Sequence, residues 1–123
     1  MDKTERMSAA MYRELKANKP RKYRNEPIEM DGRRFDSKAE CRRYAELKLL
    51  EQAGEIESFS CQPIYELYAG IKYVADFEVT GKGGKERWAE DVKSPATVKN
   101  AAFRMKARMF RELFPDVELR IIM

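Results

Sequence analysis

At 123 residues and 43% apolar composition, the chain is long enough for one domain with a single core and too short for two. Lys and Arg number 25 against 21 Asp and Glu, and the net charge of +4 is too small to name a partner by itself. The two cysteines, Cys41 and Cys61, lie in unrelated contexts without a histidine, which excludes a Cys/His zinc site; no apolar run approaches the roughly 18 residues needed to cross a bilayer, so a soluble, cytoplasmic protein is expected.

The first 25 residues carry eight basic and three acidic side chains and read as a basic arm. Within it, Met7, Ala10, Met11 and Leu15 recur at helical spacing, and Asn18-Lys19-Pro20 supplies a stop. Arg21, Lys22 and Arg24 follow as a linker or a nucleic-acid-contacting segment. Asp31-Gly32 suggests a short hairpin within residues 28–35. Residues 37–53 predict a core helix with Cys41, Tyr44, Leu47 and Leu50 on one stripe and Gly54 at its end. Residues 56–68 are β-like but interrupted by Pro63, whereas residues 71–79 alternate as one strand, with Tyr73, Ala75 and Phe77 opposite Val74, Asp76 and Glu78. A glycine-rich stretch, 81–84, breaks the pattern before residues 86–93 resume it, which predicts a hairpin. Pro95 and Thr97 introduce a helix over 98–114 whose inward stripe is Val98, Ala102, Met105, Met109 and Leu113. Its other faces carry Lys99, Arg104, Lys106, Arg108 and Arg111 without an acidic residue before Glu112. Residues 117–122 read as a last strand. The order α, β, β, β, α, β predicts an α/β fold, one mixed sheet flanked by helices.

Pairing Thr80 with Lys85 across the glycine loop sets Asp76 opposite Ala89 and leaves Asp91 on the diagonal, roughly 7 to 8 Å away. A loop longer by one residue on each side sets the two aspartates directly opposite. Either register joins Asp76, Asp91 and Lys93 on one surface, because strand side chains alternate with period two. Two carboxylates so close repel unless a positive charge lies between them. Mg²⁺, which takes one or two carboxylates plus water and phosphate oxygens, is the expected cofactor, with Mn²⁺ as a substitute. Lys93 would then assist an attacking water or stabilise a phosphoryl transition state.

Val74-Ala75-Asp76-Phe77 followed by Glu90-Asp91-Val92-Lys93 resembles the PD-(D/E)XK nuclease motif, with alanine in place of its proline. Phe35-Asp36-Ser37-Lys38-Ala39-Glu40 at a helix start, Gln62-Pro63 in the next strand, and the basic helix and terminal strand extend the likeness. The chain resembles a family of phage and prophage proteins with this core over residues 23–123. More distantly, over residues 35–122, it resembles the phage endonuclease I that resolves Holliday junctions. The resemblance implies a restriction-endonuclease-like domain over 26–123 with the arm at 1–25, and a metal-dependent endonuclease acting on branched DNA as a homodimer in the host cytoplasm. It implies metal ligation by Glu40, Asp76 and Asp91, assistance by Lys93, an accessory role for Gln62, and DNA contacts from Lys99, Arg104, Arg108, Arg21, Lys22 and Arg24. Within the nuclease class the alternative is a nicking or double-strand endonuclease of recombination or packaging; outside it, a non-catalytic nucleic-acid-binding protein with the same fold.

Several residues have a second reading. Ser37-x-x-Glu40 is also a capping box, in which Glu40 serves the helix start. Asp76 could pair with Lys93 or Lys72, and Asp91 with Lys93 could be an ordinary exposed strand face. Glu90 competes with Asp91 but turns to the opposite face unless a bulge intervenes. Gln62 could simply satisfy backbone groups, and the basic helix could be a solvated surface.

Overall fold

The computed structural model describes residues 28–123. The expected basic arm, with its helix over 4–17 and with Arg21, Lys22 and Arg24, lies outside the described residues. Two compact units divide the chain, one ending at Lys38 and the other running from Ala39 to Met123. In the first, β1 (Ile28–Met30) and β2 (Arg33–Phe35) pair antiparallel with Met30 opposite Arg33. Asp31 and Gly32, at φ +55° and +76°, form the two-residue turn that such a hairpin requires.

Helix α1 (Lys38–Gln52) leads into the second unit and buries Glu40, Cys41, Tyr44 and Leu47. Gly54, at φ +77°, ends it: the Glu55 amide donates to the Leu50 carbonyl at 2.8 Å and the Gly54 amide to Glu51 at 3.1 Å, a Schellman closure that satisfies carbonyls the helix would otherwise leave unpaired.

The next segment is one long hairpin with a bend. Strand β3 (Ile56–Cys61) pairs with β6 (Phe77–Gly81), and β4 (Ile64–Glu66) pairs with β5 (Lys72–Val74) around a 3₁₀ turn at Tyr68–Gly70. The same register runs through both halves, because the Gln62 amide donates to the Asp76 carbonyl at 2.8 Å and the Ala75 amide to the Pro63 carbonyl at 3.2 Å. At the bend Gln62 takes φ +52°, a left-handed conformation uncommon outside glycine. The strand expected over 71–79 is therefore two strands interrupted at Ala75-Asp76, opposite the break at Gln62-Pro63. Burial still alternates along it, but the bend exchanges the faces. Tyr73 and Ala75 join the cluster of Tyr65, Ala89, Ala107 and Phe110. Phe77 instead meets Phe59 edge-on at 6.2 Å, and Phe59 meets Tyr44 of α1 at 5.7 Å.

The main sheet has the order β3-β6-β7-β8, with β7 (Arg87–Val92) antiparallel to β6 and parallel to β8 (Val117–Ile122). It is a mixed sheet in an α and β architecture. The crossover between β7 and β8 contains a short helix, α2 (Pro95–Val98), and a longer one, α3 (Ala101–Leu113). A single helix over 98–114 was expected, but each piece has its own cap: Ser94 accepts from the Thr97 amide at 3.2 Å, and Asn100 from Phe103 at 3.1 Å. The inward stripe also differs from expectation. Ala107 and Phe110 are buried and Phe103, Met109 and Phe114 pack against the core, while Ala102 is exposed and Met105 and Leu113 are 57% and 37% exposed. Met109 keeps its expected inward place, while aromatic rings that bury more area took the core side in place of Ala102, Met105 and Leu113.

Neighbouring residues on β7 point to opposite faces, and each face meets a helix. Ala89 packs in the cluster that includes Ala107 and Phe110 of α3. On the other side Glu90, with no exposure, accepts two bonds from Arg43 of α1, both at 2.7 Å, and a third from the Trp88 indole at 2.9 Å. Bonding to Glu90 holds the Arg43 guanidinium even more firmly protonated than usual. A paired buried charge is tolerated where an orphaned one is not. Arg43→Met should therefore cost about 3–5 kcal/mol in urea unfolding, and Glu90→Gln in the same chain should recover part of it. A loss below about 1 kcal/mol, the range of an exposed pair, would show that this bridge does not anchor α1 to the sheet.

Candidate active site

The β6–β7 hairpin decides where the acids meet. Thr80 faces Arg87 and Phe77 faces Glu90, because the loop holds a 3₁₀ turn at Lys82–Gly84 closed by the Gly81 amide donating to the Glu86 carbonyl at 2.7 Å. Of the two registers anticipated, the structure has the longer loop. The regular pairing ends at Phe77 and Glu90; the Asp76 amide also donates to the Glu90 carbonyl, at 3.0 Å, and Asp91 is close enough for its charge to act on the Asp76 carboxyl. Asp76 itself lies at the bend between β5 and β6, not inside a regular strand as expected.

Each carboxylate is held by one oxygen. Asp76 Oδ2 accepts from the Val92 amide at 2.7 Å. Asp91 is 1% exposed; its Oδ2 accepts from the Tyr73 hydroxyl. Asp91 Oδ1 is buried and receives no hydrogen bond, although Lys93 Nζ stands 3.4 Å away. Lys93 is pinned through its backbone, whose amide donates to the Ile122 carbonyl at 3.0 Å, and its ammonium lies 5.4 Å over the Phe103 ring. That contact brings the first turn of α3 beside the site.

The electrostatics record the crowding of acids. Burial pushes the Asp76 carboxyl up to about 7, against the lowering effect of the Val92 amide, and the negative charges of Asp91 and Glu40 push in the same direction as burial. Glu40, buried in the first turn of α1, therefore lies within electrostatic reach of Asp76. Burial, with help from the neighbouring Asp91, keeps the Tyr73 phenol protonated well above its ordinary range, so it donates to the carboxylate.

Among the described residues, no group of three or more His, Cys, Asp or Glu side chains is arranged to hold a metal ion. Three-carboxylate ligation by Glu40, Asp76 and Asp91 is thus not preformed. The pair of aspartates is a different matter: two hard oxygen donors and a buried oxygen lacking a hydrogen bond suit Mg²⁺, which needs only one or two carboxylates beside its waters.

The other anticipated residues are spread around this pair. Gln62 is exposed, and its recorded bond is the backbone link to Asp76 that shapes the bend. Lys99 is exposed at the end of α2; Arg104 and Arg108 are exposed on α3. Arg111, also exposed, continues their spacing at i, i+4 and i+7, which makes one basic stripe. Glu90 is committed to Arg43 and Trp88 on the far face. Tyr73 escaped the sequence reading because unbroken alternation turned it away from Asp76. The available clue was Pro63, which cannot donate to a continuous ladder.

A raised carboxyl pKa has a definite sign. Between the ordinary carboxylate range and about 7 the folded chain binds more protons at Asp76 than the unfolded chain, so folding stability falls as pH rises through that window. Asp76→Asn keeps an acceptor for the Val92 amide and removes the charge. In EDTA the variant should be more stable than the parent at pH 8, with the advantage vanishing near pH 4 in urea titrations. An advantage equal at both pH values would contradict this electrostatic picture.

No curated protein and no solved structure matches the chain. Residues 20–123 match the family model described as a protein of unknown function (DUF1064), and the chain belongs to that family.

Proposed function

We propose that the protein is a Mg²⁺-dependent endonuclease that hydrolyses DNA phosphodiesters, with a restriction-endonuclease-like core. The observation that carries this reading is the closeness of Asp76, at the bend before β6, to Asp91 on β7, with one buried carboxylate oxygen lacking a hydrogen bond and Lys93 Nζ 3.4 Å from it. A purely structural ion pair would call for one acid and one base; here a second acid adds repulsion that a hard cation relieves.

In this reading Asp76 and Asp91 hold Mg²⁺, which when bound polarises the scissile phosphate as a Lewis acid. The Val92 amide and the Tyr73 hydroxyl fix the two carboxylates, so that little reorganisation accompanies the reaction. Lys93 orients the attacking water or offsets charge developing on phosphorus. Glu40 adds negative charge nearby and would help to attract the cation. Lys99, Arg104 and Arg108 bind backbone phosphates on either side of the cut, an attraction that weakens with salt. The preference for branched DNA, and a homodimer presenting two sites to paired strands, follow the resemblance of the Asp76 and Asp91-Val92-Lys93 pattern to junction-resolving enzymes.

The test is a cleavage assay on a four-way junction, a linear duplex and single strands with Mg²⁺, Mn²⁺ or EDTA. Cleavage should require the cation, vanish in Asp76→Ala, fall on the order of 10²-fold in Lys93→Met, and be strongest on the junction. Equal cleavage of all three substrates would remove the junction preference. Binding without cleavage under every condition would favour a non-catalytic DNA-binding protein.

A further inference from the structure

The two aspartates share a feature that bears on which cation they accept. Each has one oxygen engaged by a donor from the protein: Asp76 Oδ2 by the Val92 amide, and Asp91 Oδ2 by the Tyr73 hydroxyl. The engagement of Asp91 is tight, because Tyr73 is 4% exposed and its ring is packed among Tyr65, Phe103 and Phe110 at centroid distances of 6.4, 6.5 and 5.6 Å. A ring so enclosed cannot swing its hydroxyl away without disturbing the core. Asp91 Oδ1, by contrast, has no hydrogen bond. Oδ1 has the Lys93 ammonium beside it, at 3.4 Å, whereas Oδ2 is already hydrogen-bonded.

We propose that Tyr73 is a positioning residue that restricts Asp91 to ligation through a single oxygen, Oδ1, so that the site selects small six-coordinate cations over Ca²⁺. The inference rests on the metal-centre reading above. Mg²⁺ and Mn²⁺ fit octahedral sites built from single oxygens and water, whereas Ca²⁺ takes six to eight oxygens and commonly draws both oxygens of one carboxylate. With Asp76 held in the same way by Val92, two-oxygen ligation of Ca²⁺ by either aspartate would have to share an oxygen that already accepts a protein hydrogen bond. Sharing Asp91 Oδ2 would weaken the bond of a buried hydroxyl, a cost that falls on Ca²⁺ and not on Mg²⁺. Tyr65 supplies an internal comparison: its hydroxyl, in the same aromatic cluster, donates to Glu78 at 2.5 Å, away from both aspartates.

The experiment is titration calorimetry of the full chain with Mg²⁺, Mn²⁺ and Ca²⁺ for the parent, Tyr73→Phe and Tyr65→Phe, with melting curves to establish that each is folded. In the parent, Mg²⁺ and Mn²⁺ should bind more tightly than Ca²⁺. Tyr73→Phe should lose on the order of 10-fold of that preference, a size comparable to the lower end of outer-shell effects on metal affinity, and Tyr65→Phe should keep it. Parent selectivity retained in a folded Tyr73→Phe would overturn the proposal. Because loss of a buried bond could unfold that variant, infrared difference spectra of the parent on Mg²⁺ loading give an independent reading. A widened separation of the antisymmetric and symmetric carboxylate stretches marks single-oxygen ligation, and a narrowed one would overturn the proposal without any mutation. A parent that binds none of the three cations would overturn the metal-centre reading itself, an outcome distinct from binding without selectivity.

Discussion

Two carboxylates held close together, Asp76 at the bend before β6 and Asp91 on β7, are the constraint around which this molecule is arranged. Burial and mutual repulsion both raise the energy of the doubly charged state, and the rise of Asp76 to about 7 expresses that cost in protons. A core that served stability alone would place apolar side chains here, since replacing buried charge with packed hydrocarbon is often neutral or favourable. The nearby Glu90 shows how this same chain treats a carboxylate it needs only for structure: three donors from Arg43 and Trp88 surround it. Asp91, one residue further along β7, has one such donor, and its other oxygen receives no hydrogen bond, with the Lys93 ammonium 3.4 Å away.

The architecture supplies the means of holding that arrangement. The bend at Gln62-Pro63 and Ala75-Asp76 turns the long hairpin so that Tyr73 meets Asp91 from one half while Phe77 serves the α1 side from the other. Alternation along β7 sends Glu90 to α1 and Asp91 to the face covered by α3, so adjacent residues carry a structural and a candidate chemical role without competing. Strand β8 fixes the Lys93 backbone, and the first turn of α3, through Phe103, reaches its ammonium. Each contribution comes from a different element, which makes the site depend on the fold as a whole.

Much of this was readable from residue order, and the failures have identifiable causes. Helix α1 and its Gly54 stop followed from spacing and from the left-handed position only glycine fills comfortably. Asp91 and Lys93 share a face as period two requires, whereas Asp76 comes near them from the bend and not from the regular strand that the reading assumed. The break at Asp76 was hidden because buried residues continue to alternate through it; only the core to which they belong changes. Likewise α3 contains both an aliphatic and an aromatic stripe, and the rings prevailed because the cluster around Tyr65 and Tyr73 offered them partners. The role of Tyr73 depends on that bend, which alternation alone does not reveal and to which Pro63 was the one local pointer.

The most direct measurement is anomalous diffraction from crystals of the full chain soaked in Mn²⁺. The account predicts one strong anomalous peak between Asp76 and Asp91, about 2.1–2.2 Å from an oxygen of each, near the single-oxygen distances of small divalent ions. An ordered site with both aspartates bonded only to protein and no manganese between them would contradict it.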